Sequence, residues 1–409
     1  MIPILTEAAA HEWVGRLHLR DDSTVSEQVS AILERVRTGG DQAVASIASA
    51  LGDPAPRVVS TEVELETDVR ALLERAAGRL RTYNQAVMAA LGSVRVEDHE
   101  VIAGMDFRPV ERVACYVPGG RHPLPSTALM TGLAARAAGV PHIALVCPSP
   151  HPAVLYAAHL VGAERVYLMG GAQAVAAVAF GTETIERVDM VVGPGNAYVT
   201  EAKRQLQGVI GIDMLAGPSE VVILADEGAN PEWVALDLLA QAEHDPNSRV
   251  ALVTWDEALA IKVKAAIDAA LGSGDYPPFL ASSLALSALL VFEQRSTCLE
   301  VVNRIAPEHL QLAVADPSEF RTQLRHYGGL FLGYQATVPF GDYLAGPNHT
   351  LPTGGTARFS GGLSPLTFLR PQGWMQTIDS PTLLAADTAS FAELEGLRGH
   401  ARAARARLG

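Results

Sequence analysis

The amino-acid sequence predicts an α/β protein with two doubly wound parallel-sheet domains, a helical N-terminal segment and a C-terminal tail helix. Three observations favour this class. Short apolar runs recur from about residue 113 onward, a glycine, proline or polar break follows each run, and an alanine-rich stretch often comes next. Strands that are apolar throughout and alternate with helices are typical of a parallel sheet covered on both faces.

The apolar runs fall into two successive sets, and each set predicts one Rossmann-like sheet. The runs of the first set are 143–146, 166–169, 190–192 and 221–224. The runs of the second set are 250–253, 289–292, 310–314 and 330–332. We therefore expect a first α/β domain over residues 115–225 and a second α/β domain over residues 226–362.

Residues 1–114 are expected to form a mostly helical segment that packs on the second α/β domain. The apolar side chains of Val25, Val29 and Val36 follow the spacing of an amphipathic helix. The glycine pair at positions 39 and 40 would end this helix. We find no residues with an evident chemical role in this segment.

The tail over residues 363–409 differs in composition and pattern from the two α/β domains. Its first part, 363–386, contains several prolines and glycines and shows no clear periodicity. Ser390 and Glu393 match a capping box, so we expect an Arg- and Ala-rich helix to begin at Ser390. A tail this short cannot bury a core of its own, so it would pack on another domain or another subunit.

The amino-acid composition excludes several classes of function. The chain has 409 residues, of which 48% are hydrophobic and 19% charged, and this excludes wholesale disorder. The net charge of −14 disfavours nucleic acid and anionic membrane surfaces as main partners. The N-terminus lacks the pattern of a signal peptide, and the three cysteines form no CxxC pair. We expect a cytoplasmic protein that acts on a small molecule, without a disulfide framework.

Three glycine-rich turns follow predicted strands, at residues 117–120, 170–173 and 193–196. None matches a GxGxxG fingerprint or a P-loop. Each turn is either a tight strand-to-helix connection or a place where a ligand approaches the backbone at the carboxyl end of a strand. The polar side chains of Tyr116, Gln173 and Asn196, one beside each turn, favour ligand binding.

Histidines and carboxylates cluster at three places. Gln241 and His244 lie three residues apart near the end of a predicted helix, a spacing that allows both to ligate one metal or leaves a structural histidine. Glu308 and His309 are an acid–base pair, or a surface glutamate beside a capping histidine. The Gly- and Pro-rich loop that contains Asp342 is a ligand lid or a solvated connector.

The remaining candidates are less sharply defined by spacing. His349 lies in the same loop as Asp342. Glu395 and His400 are five residues apart, so they share a site only if a glycine between them distorts the helix. We read the other histidines as structural, with His122 the least typical because it lies in a glycine-rich turn.

Taken together, these segments resemble the histidinol dehydrogenase family from about residue 110 to residue 409. The segments that carry the resemblance are 115–120 (CYVPGG), 170–173 (GGAQ), 192–204 (VGPGNAYVTEAKR), 216–220 (AGPSE), 241–244 (QAEH), 307–310 (PEHL), 341–343 (GDY), 356–364 (TARFSGGLS) and 395–400 (EGLRGH). Their number and their order make the resemblance specific.

The resemblance implies a four-electron oxidation of L-histidinol to L-histidine through L-histidinaldehyde, the last step of histidine biosynthesis. It implies one Zn²⁺ per site and two NAD⁺ used in sequence. The implied zinc ligands are Gln241, His244, Asp342 and His400. The implied catalytic residues are Glu308, which activates water, and His309, which takes the alcohol proton.

The remaining implied roles concern substrate, cofactor and assembly. Ser219, His349 and Glu395 match substrate-binding positions, where the four zinc ligands and His309 also contact the substrate. Tyr116, Gln173 and Asn196 match NAD-binding positions. The cofactor would then bind the first α/β domain, and the zinc and the catalytic residues would lie in the second. The tail would be swapped between the subunits of a homodimer with shared active sites.

Two segments depart from the family pattern: the stretch between Ser49 and Val59, and the Arg-His-Pro-Leu-Pro sequence that follows Gly120. A second reading is a family paralogue that oxidises another polar or amino alcohol with the same machinery. A catalytically silent relative would lack Glu308 or His309, and both are present. An aldehyde dehydrogenase with a cysteine nucleophile would depend on Cys115, Cys147 or Cys298.

Overall fold

A computed structural model describes residues 2–17, 23–119, 123–272, 274, 276–378 and 381–408. Gly120 and His122, which the sequence places in a glycine-rich turn, lie outside the described residues. No helix within the described ranges is long and apolar enough to cross a membrane.

The strands are short and most of them are buried. In chain order they are β1 (Ile4–Thr6), β2 (Arg57–Val59), β3 (Val94–Glu97), β4 (Val101–Pro109), β5 (Arg112–Tyr116), β6 (His142–Cys147), β7 (Arg165–Leu168), β8 (Met190–Val192), β9 (Gly211–Ile212), β10 (Glu220–Ala225), β11 (Arg249–Thr254), β12 (Ala288–Val291), β13 (His309–Ala313), β14 (Gly329–Leu332) and β15 (Leu369–Thr377).

The helices connect these strands and cover their faces. In chain order they are α1 (Glu7–Arg16), α2 (Ser23–Leu51), α3 (Thr67–Ala89), α4 (Pro125–Ala137), α5 (Pro152–Val161), α6 (Gly171–Phe180), α7 (Ala197–Leu206), α8 (Pro231–Ala242), α9 (Glu257–Leu271), α10 (Leu280–Ala285), α11 (Arg295–Ile305), α12 (Pro317–Arg321), α13 (Val338–Tyr343), α14 (Thr382–Leu394) and α15 (Arg398–Arg405).

Two six-stranded sheets form the frame of the molecule. The first sheet has the order β2-β7-β6-β5-β8-β9, and the second has the order β1-β12-β11-β10-β13-β14. All strand pairs in both are parallel except β2 with β7. Two apolar clusters flank each sheet, one on either face. The predicted α/β class with doubly wound parallel sheets is confirmed.

The expected boundary between the two α/β domains is wrong by one strand. The apolar run 221–224 belongs to β10, which pairs with β11 and β13 at the centre of the second sheet. The first sheet also takes β5, which begins before residue 115. An apolar run predicts a buried strand but carries no information about which strands lie beside it.

The N-terminal segment is divided between the two sheets, so its expected packing on the second domain alone is wrong. β1 pairs with β12 at the edge of the second sheet, and α1 packs beside it. The helix α2 contributes to an apolar cluster of the first sheet, and α3 contributes to the other. As predicted, the glycine pair interrupts α2: Gly40 has φ +51° and breaks the helix.

A third, antiparallel sheet has the order β15-β4-β3 and was not expected from the sequence. Most of the side chains along β3 and β15 are exposed or half-buried, so these strands lack the apolar runs that identify the others. β15 lies in the Pro- and Gly-containing stretch of the tail, where Pro371 and Gly373 interrupt any alternation. We call this sheet, together with α14 and α15, the arm.

The capping box predicted at Ser390 is wrong. Ser390 lies inside α14, where its hydroxyl donates to the Ala386 carbonyl, and the helix begins at Thr382 after Pro381. The carboxylate of Glu100, in the turn between β3 and β4, accepts from the first backbone amides of α14, those of Leu383 and Leu384. This contact between distant parts of the chain replaces the local cap.

Candidate active site

The candidate site residues lie where the carboxyl ends of the first sheet's strands face the amino ends of the second sheet's strands. Tyr116 ends β5, whereas His309 and Glu220 begin β13 and β10. The two sides meet at Thr127, near the start of α4, whose hydroxyl lies 3.2 Å from His349 Nε2. A second bond, from Asn348 Nδ2 to the Met130 carbonyl, joins the same loop to α4.

Glu308 is buried immediately before β13. Its Oε2 accepts from the backbone amide of Glu220 at 2.9 Å, and its own amide donates to Glu220 Oε1 at 3.3 Å. Burial raises the pKa of Glu308 well above its ordinary value, and the charges of Glu220 and Asp342 act in the same direction. The raised pKa makes this carboxyl group hold a proton more tightly than an exposed glutamate does, and it makes the carboxylate a stronger base.

His309 is also buried, and one of its two ring nitrogens is fixed. Nδ1 lies 3.1 Å from the Glu220 carbonyl oxygen, which can only accept, so Nδ1 carries the ring proton and Nε2 has the lone pair. Nε2 is buried and has no hydrogen-bond partner among the described residues. Burial lowers the pKa of His309 to about 4, so the ring is neutral and can act as a base.

Asp342 approaches this pair from α13. Its Oδ1 lies 3.9 Å from His309 Nε2, and burial raises the pKa of Asp342 to about 7. The backbone carbonyl of Asp342 accepts from His349 Nδ1 at 3.0 Å. Since Thr127 occupies the other nitrogen of His349, this imidazole joins α4 to the loop after α13 and shapes the wall of the site.

Gln241 and His244 lie at the carboxyl end of α8, and His244 is close enough to lower the pKa values of His309 and His349. The helix begins as predicted, with the Asn230 side chain accepting from the amides of Glu232 and Trp233. It ends at Ala242, so His244 lies on the turn after the last helical residue and is exposed. Gln241 is buried, and within the described ranges its Nε2 has no hydrogen-bond partner.

The side chains around Gln241 form a set of possible metal ligands rather than a closed metal site. In the part of the chain that the structure describes, no group of three or more His, Cys, Asp or Glu is arranged to hold a metal ion. Gln241, His244 and Asp342 nonetheless offer an amide oxygen, an imidazole nitrogen and a carboxylate oxygen, a nitrogen–oxygen set that suits zinc. Gln241 would take this role through Oε1, because no hydrogen bond from Nε2 to the described residues holds the amide group in another orientation.

Glu220 is a further member of this cluster, and its contacts were not predicted from the sequence. Besides Glu308 and His309, it holds the amide of Gly354 through Oε1 at 3.0 Å. It follows Ser219, which is half-buried beside the site. One feature of the sequence could have indicated this role: Glu220 is the first residue of β10, and the other five residues of that strand are apolar. A carboxylate buried at such a position needs specific hydrogen-bond partners.

The three candidate cofactor residues share the carboxyl edge of the first sheet. The Tyr116 hydroxyl accepts from the Gly171 amide at 3.0 Å, and Gln173 is buried two residues further along α6. The Asn196 side chain caps α7 by accepting from the amides of Tyr198 and Val199, both at 3.1 Å. The polar side chains beside the three glycine-rich turns therefore lie at the same edge of the first sheet. This agrees with their positions directly after strands of a parallel sheet.

A small cavity lies next to Gln173. Its lining includes Pro148, Gly170 and Gln173 from the first domain and Asp53 from the connection after α2. Asp53 belongs to the stretch between Ser49 and Val59 that departs from the family pattern. This stretch therefore borders the candidate cofactor residues, although it is remote from them in sequence.

Glu395 and His400 are not part of this cluster within one chain. Gly396, with φ +75°, separates α14 from α15, so the distortion considered for this pair is present. Both residues are exposed, and the two tail helices pack on each other through Ala389, Ala392 and Ala401.

The three cysteines are free, as expected, and all lie in apolar surroundings. Burial raises the pKa of Cys115 to about 12, that of Cys147 to about 11 and that of Cys298 to about 12. A nucleophilic cysteine needs a lowered pKa and access to substrate. These thiols have neither, which disfavours the cysteine-nucleophile hypothesis.

Comparison with known proteins points to one family. The family model described as histidinol dehydrogenase matches residues 17–408. A histidinol dehydrogenase from Pseudomonas fluorescens is 40% identical over 405 residues, covering 95% of this chain and 91% of its own. One from Methanocaldococcus jannaschii is 42% identical over 364 residues, covering 86% and 84%.

Solved structures agree with the sequence comparison. The crystal structure of histidinol dehydrogenase from Elizabethkingia anophelis superposes with a TM-score of 0.90 at 32% identity, covering 100% of this chain and 98% of that one. An acetylating aldehyde dehydrogenase from Geobacillus thermoglucosidasius matches with a TM-score of 0.52 at 14% identity, over 90% of this chain and 96% of its own. The second match is a likeness of fold alone.

Proposed function

Because this chain belongs to the histidinol dehydrogenase family and is an oxidoreductase, we propose that it oxidises L-histidinol to L-histidine through L-histidinaldehyde, the last step of histidine biosynthesis. The observation that carries the proposal is the buried pair Glu308–His309. Both side chains are oriented by Glu220, and Asp342 Oδ1 lies 3.9 Å from His309 Nε2.

His309 acts as the base of the alcohol step. Oxidation of the alcohol removes a hydride from carbon and a proton from oxygen, so the site must accept both. The lone pair of His309 Nε2 is available, since Nδ1 is committed to the Glu220 carbonyl. The low pKa of His309 keeps the ring neutral before it takes the proton.

Glu308 acts in the aldehyde step. The aldehyde must gain a hydroxyl group before a second hydride can leave, and water requires a base to lose its proton. Glu308 lies next to His309 in sequence, and its Oε2 is 3.6 Å from His309 Nδ1. Its raised pKa makes it a stronger base than an exposed glutamate once it is deprotonated.

Gln241, His244 and Asp342 would hold a zinc ion, with His400 of the partner subunit as the fourth ligand. Bound zinc would anchor the imidazole and amine of the substrate and polarise its oxygen. Ser219, His349 and Glu395 complete the substrate site in this proposal. Ser219 and His349 border the cluster within one chain, whereas Glu395 would come from the partner.

Tyr116, Gln173 and Asn196 would bind NAD⁺, which supplies the acceptor for each of the two hydrides. Their common position at the carboxyl ends of β5, β7 and β8 supports this role, because ligands of open parallel sheets bind there. The edge lies beside α4, which contacts His349, so the cofactor side of the first sheet faces the catalytic pair of the second.

The active unit in this proposal is a homodimer with shared sites. The arm exposes large apolar side chains: Leu383 is 66% exposed, Phe391 64% and Leu394 82%. Large apolar side chains that are this exposed favour association, because a contact with a second copy would remove them from water. Docking of the arm on a second copy would bury it and deliver Glu395 and His400 to the partner's cluster. We place this enzyme in the cytoplasm, without nucleic-acid or membrane partners.

The test of the proposal is the yield of NADH from L-histidinol, with and without a chelator. We expect two NADH per histidinol, loss of activity on chelation and recovery with added zinc. A yield of one NADH per histidinol, or activity that survives complete removal of metal, would contradict the four-electron zinc mechanism.

A paralogue that oxidises another polar or amino alcohol is the second candidate. It shares every residue of the machinery, so only the substrate distinguishes it. A folded, zinc-loaded protein that binds NADH but does not turn over histidinol would support the paralogue, and a panel of amino alcohols would then identify its substrate.

A further inference from the structure

We propose that the buried ion pair of Lys203 and Asp213 is a positioning device for the cofactor site, which sets the turn that carries Asn196 against Tyr116. This inference rests on the proposed binding of NAD⁺ at these residues. Neither Lys203 nor Asp213 has a role in the catalytic or cofactor assignments above.

The ion pair holds both polar groups of one backbone residue. Lys203 Nζ donates to the Gly193 carbonyl at 2.9 Å and forms an ion pair with Asp213 Oδ1. The other carboxylate oxygen, Oδ2, accepts from the Gly193 amide at 2.7 Å. The side chains of Lys203 and Asp213 are 2% and 0% exposed. Lys203 and Asp213 therefore hold the carbonyl and the amide of Gly193 with buried charges. We call this pair of residues the clamp.

Stability alone does not explain such a pair. Removing two charges from water is unfavourable, and well-packed apolar residues often stabilise a protein equally well or better. The pair therefore needs a specific task, and the structure offers one: satisfying the amide and the carbonyl of a residue in an unusual conformation. Gly193 has φ +111°, and its amide and carbonyl bond to the side chains of Asp213 and Lys203.

The clamped residue touches the first cofactor residue. A Cβ at Gly193 would lie only 2.2 Å from the Tyr116 carbonyl oxygen, so the backbones of β5 and of the turn are in direct contact. A shift of the turn would move Tyr116, whose hydroxyl accepts from Gly171 at the start of α6. The clamp is thereby connected to two of the three candidate cofactor elements.

The clamp also fixes the second cofactor residue. Asn196 lies three residues after Gly193 and caps α7, the helix that carries Lys203. The chain thus runs from Gly193 through Asn196 and the first two turns of α7 to Lys203, and the Lys203 side chain returns to the Gly193 carbonyl. Loosening the clamp would leave Asn196 attached to a helix whose distance from Tyr116 is no longer defined.

The predicted effect is selective for the cofactor. The clamp lies wholly within the first domain, whereas Glu308, His309 and Gln241 belong to the second. Loss of the clamp should raise the KM for NAD⁺ by about tenfold or more, since a displacement of about 1 Å in a positioned group commonly has such an effect. The KM for histidinol should stay within about twofold of its original value, because the polar contacts of Lys203 and Asp213 include none of the proposed substrate residues.

The test compares Lys203→Met with the double variant Lys203→Met/Asp213→Asn. The single variant leaves Asp213 buried without its partner, so both its melting temperature and its NAD⁺ affinity should fall. The double variant removes the lone charge, so its melting temperature should recover towards that of the wild type. The Gly193 carbonyl still lacks its donor, so the KM for NAD⁺ should remain raised.

Each outcome is informative. If the KM for NAD⁺ recovers together with the melting temperature in the double variant, the pair is merely structural and the inference is wrong. A rise of equal size in the KM for histidinol would also contradict it. If Lys203→Met does not fold, Asp213→Asn replaces it as the single variant. Its affinity for NADH is then compared with that of the double variant by fluorescence titration.

Lys264→Met is the matched control. Lys264 pairs with Asp268 at 2.9 Å on the exposed face of α9, so its loss should change neither the melting temperature nor either KM. Wild-type protein that binds no NADH at all would overturn the proposed function itself. Wild-type protein that binds NADH while both clamp variants bind it equally well would overturn only this inference.

Discussion

Glu220 shows how one buried carboxylate can organise the two reactive residues around it. Its backbone amide and carbonyl contact Glu308 and His309, and its side chain contacts the amides of Glu308 and Gly354. The tautomer of His309 follows from the Glu220 carbonyl rather than from a side chain. No substitution of Glu220 can therefore remove that bond without moving the strand. The tautomer of His309 is set by the backbone of β10, whereas burial keeps the ring neutral.

The division of labour between His309 and Glu308 gives a first prediction. His309→Ala should lower the rate of the alcohol step by about 10²–10⁴-fold, the usual contribution of a general base. Glu308→Ala should impair aldehyde oxidation more than alcohol oxidation. NADH formation is measured separately from histidinol and from histidinaldehyde. Equal losses in both half-reactions for Glu308→Ala would refute the assignment.

The cysteines give a second prediction, with a definite pH dependence. Their pKa values are raised to about 12, 11 and 12 by burial, so the native thiols should resist a thiol reagent such as DTNB at pH 8. An unfolded chain ionises at the ordinary pKa of 9.0. Stability contributed by the neutral thiols is therefore complete below pH 9 and is lost as the pH rises towards the folded values.

The matching variant replaces Cys115, Cys147 and Cys298 together by alanine. Most of the activity should remain, because all three thiols are buried and their pKa values are raised, so none is suited to act as a nucleophile. Abolished activity in a folded triple variant would restore the cysteine-nucleophile hypothesis. Circular dichroism of the triple variant is the control for folding.

At the scale of elements, the turn between β8 and α7 is packed too tightly for a side chain. Gly193→Ala should weaken NADH binding by about tenfold or more, because the new methyl group would displace either the turn or the Tyr116 carbonyl. Gly208→Ala is the matched control. Gly208 also has a positive φ, +95°, but a Cβ there meets no atom within 4 Å.

The two glycines separate backbone strain from steric contact. Both variants place alanine in a conformation that favours glycine, so both should lower the melting temperature. The decrease should be larger for Gly193→Ala, whose methyl group also meets the Tyr116 carbonyl oxygen. Only Gly193→Ala should change the dissociation constant for NADH in a fluorescence titration. An equal change in both variants would show that strain, and not the contact with Tyr116, governs binding.

At the scale of the whole molecule, the arm decides whether a single chain has a complete site. Two inactive variants, His309→Ala and His400→Ala, offer a direct test. If the sites are shared, a mixed dimer has one site with both substitutions and one site with neither. After random exchange of subunits, about a quarter of the wild-type activity should return.

Subunit exchange is achieved by unfolding and refolding the mixed variants, and histidinol turnover is the readout. Refolding each variant alone is the control, and neither should regain activity. No recovery in the mixture of active-site variants would mean that His400 serves its own chain, or that it has no part in the site.

The limits of sequence reasoning are clearest for particular elements. The apolar runs of β6, β7, β11 and β13 were visible because each lies in a sheet covered on both faces. β3 and β15 were not, since their side chains are mostly exposed and their order comes from pairing with β4. The beginning of α14 was misplaced because its cap is Glu100, far away in sequence.

The sequence by itself determined the class of fold and the glycine-rich turns, and it predicted the candidate reactive side chains, because these are local features of residue type and spacing. Only the tertiary structure decided that β10 belongs to the second sheet and that Glu220 orients Glu308 across 88 positions of the chain. It alone brought Lys203 and Asp213 to Gly193. Such contacts depend on which strands become neighbours, and this is set by the packing of the whole chain rather than by any short segment.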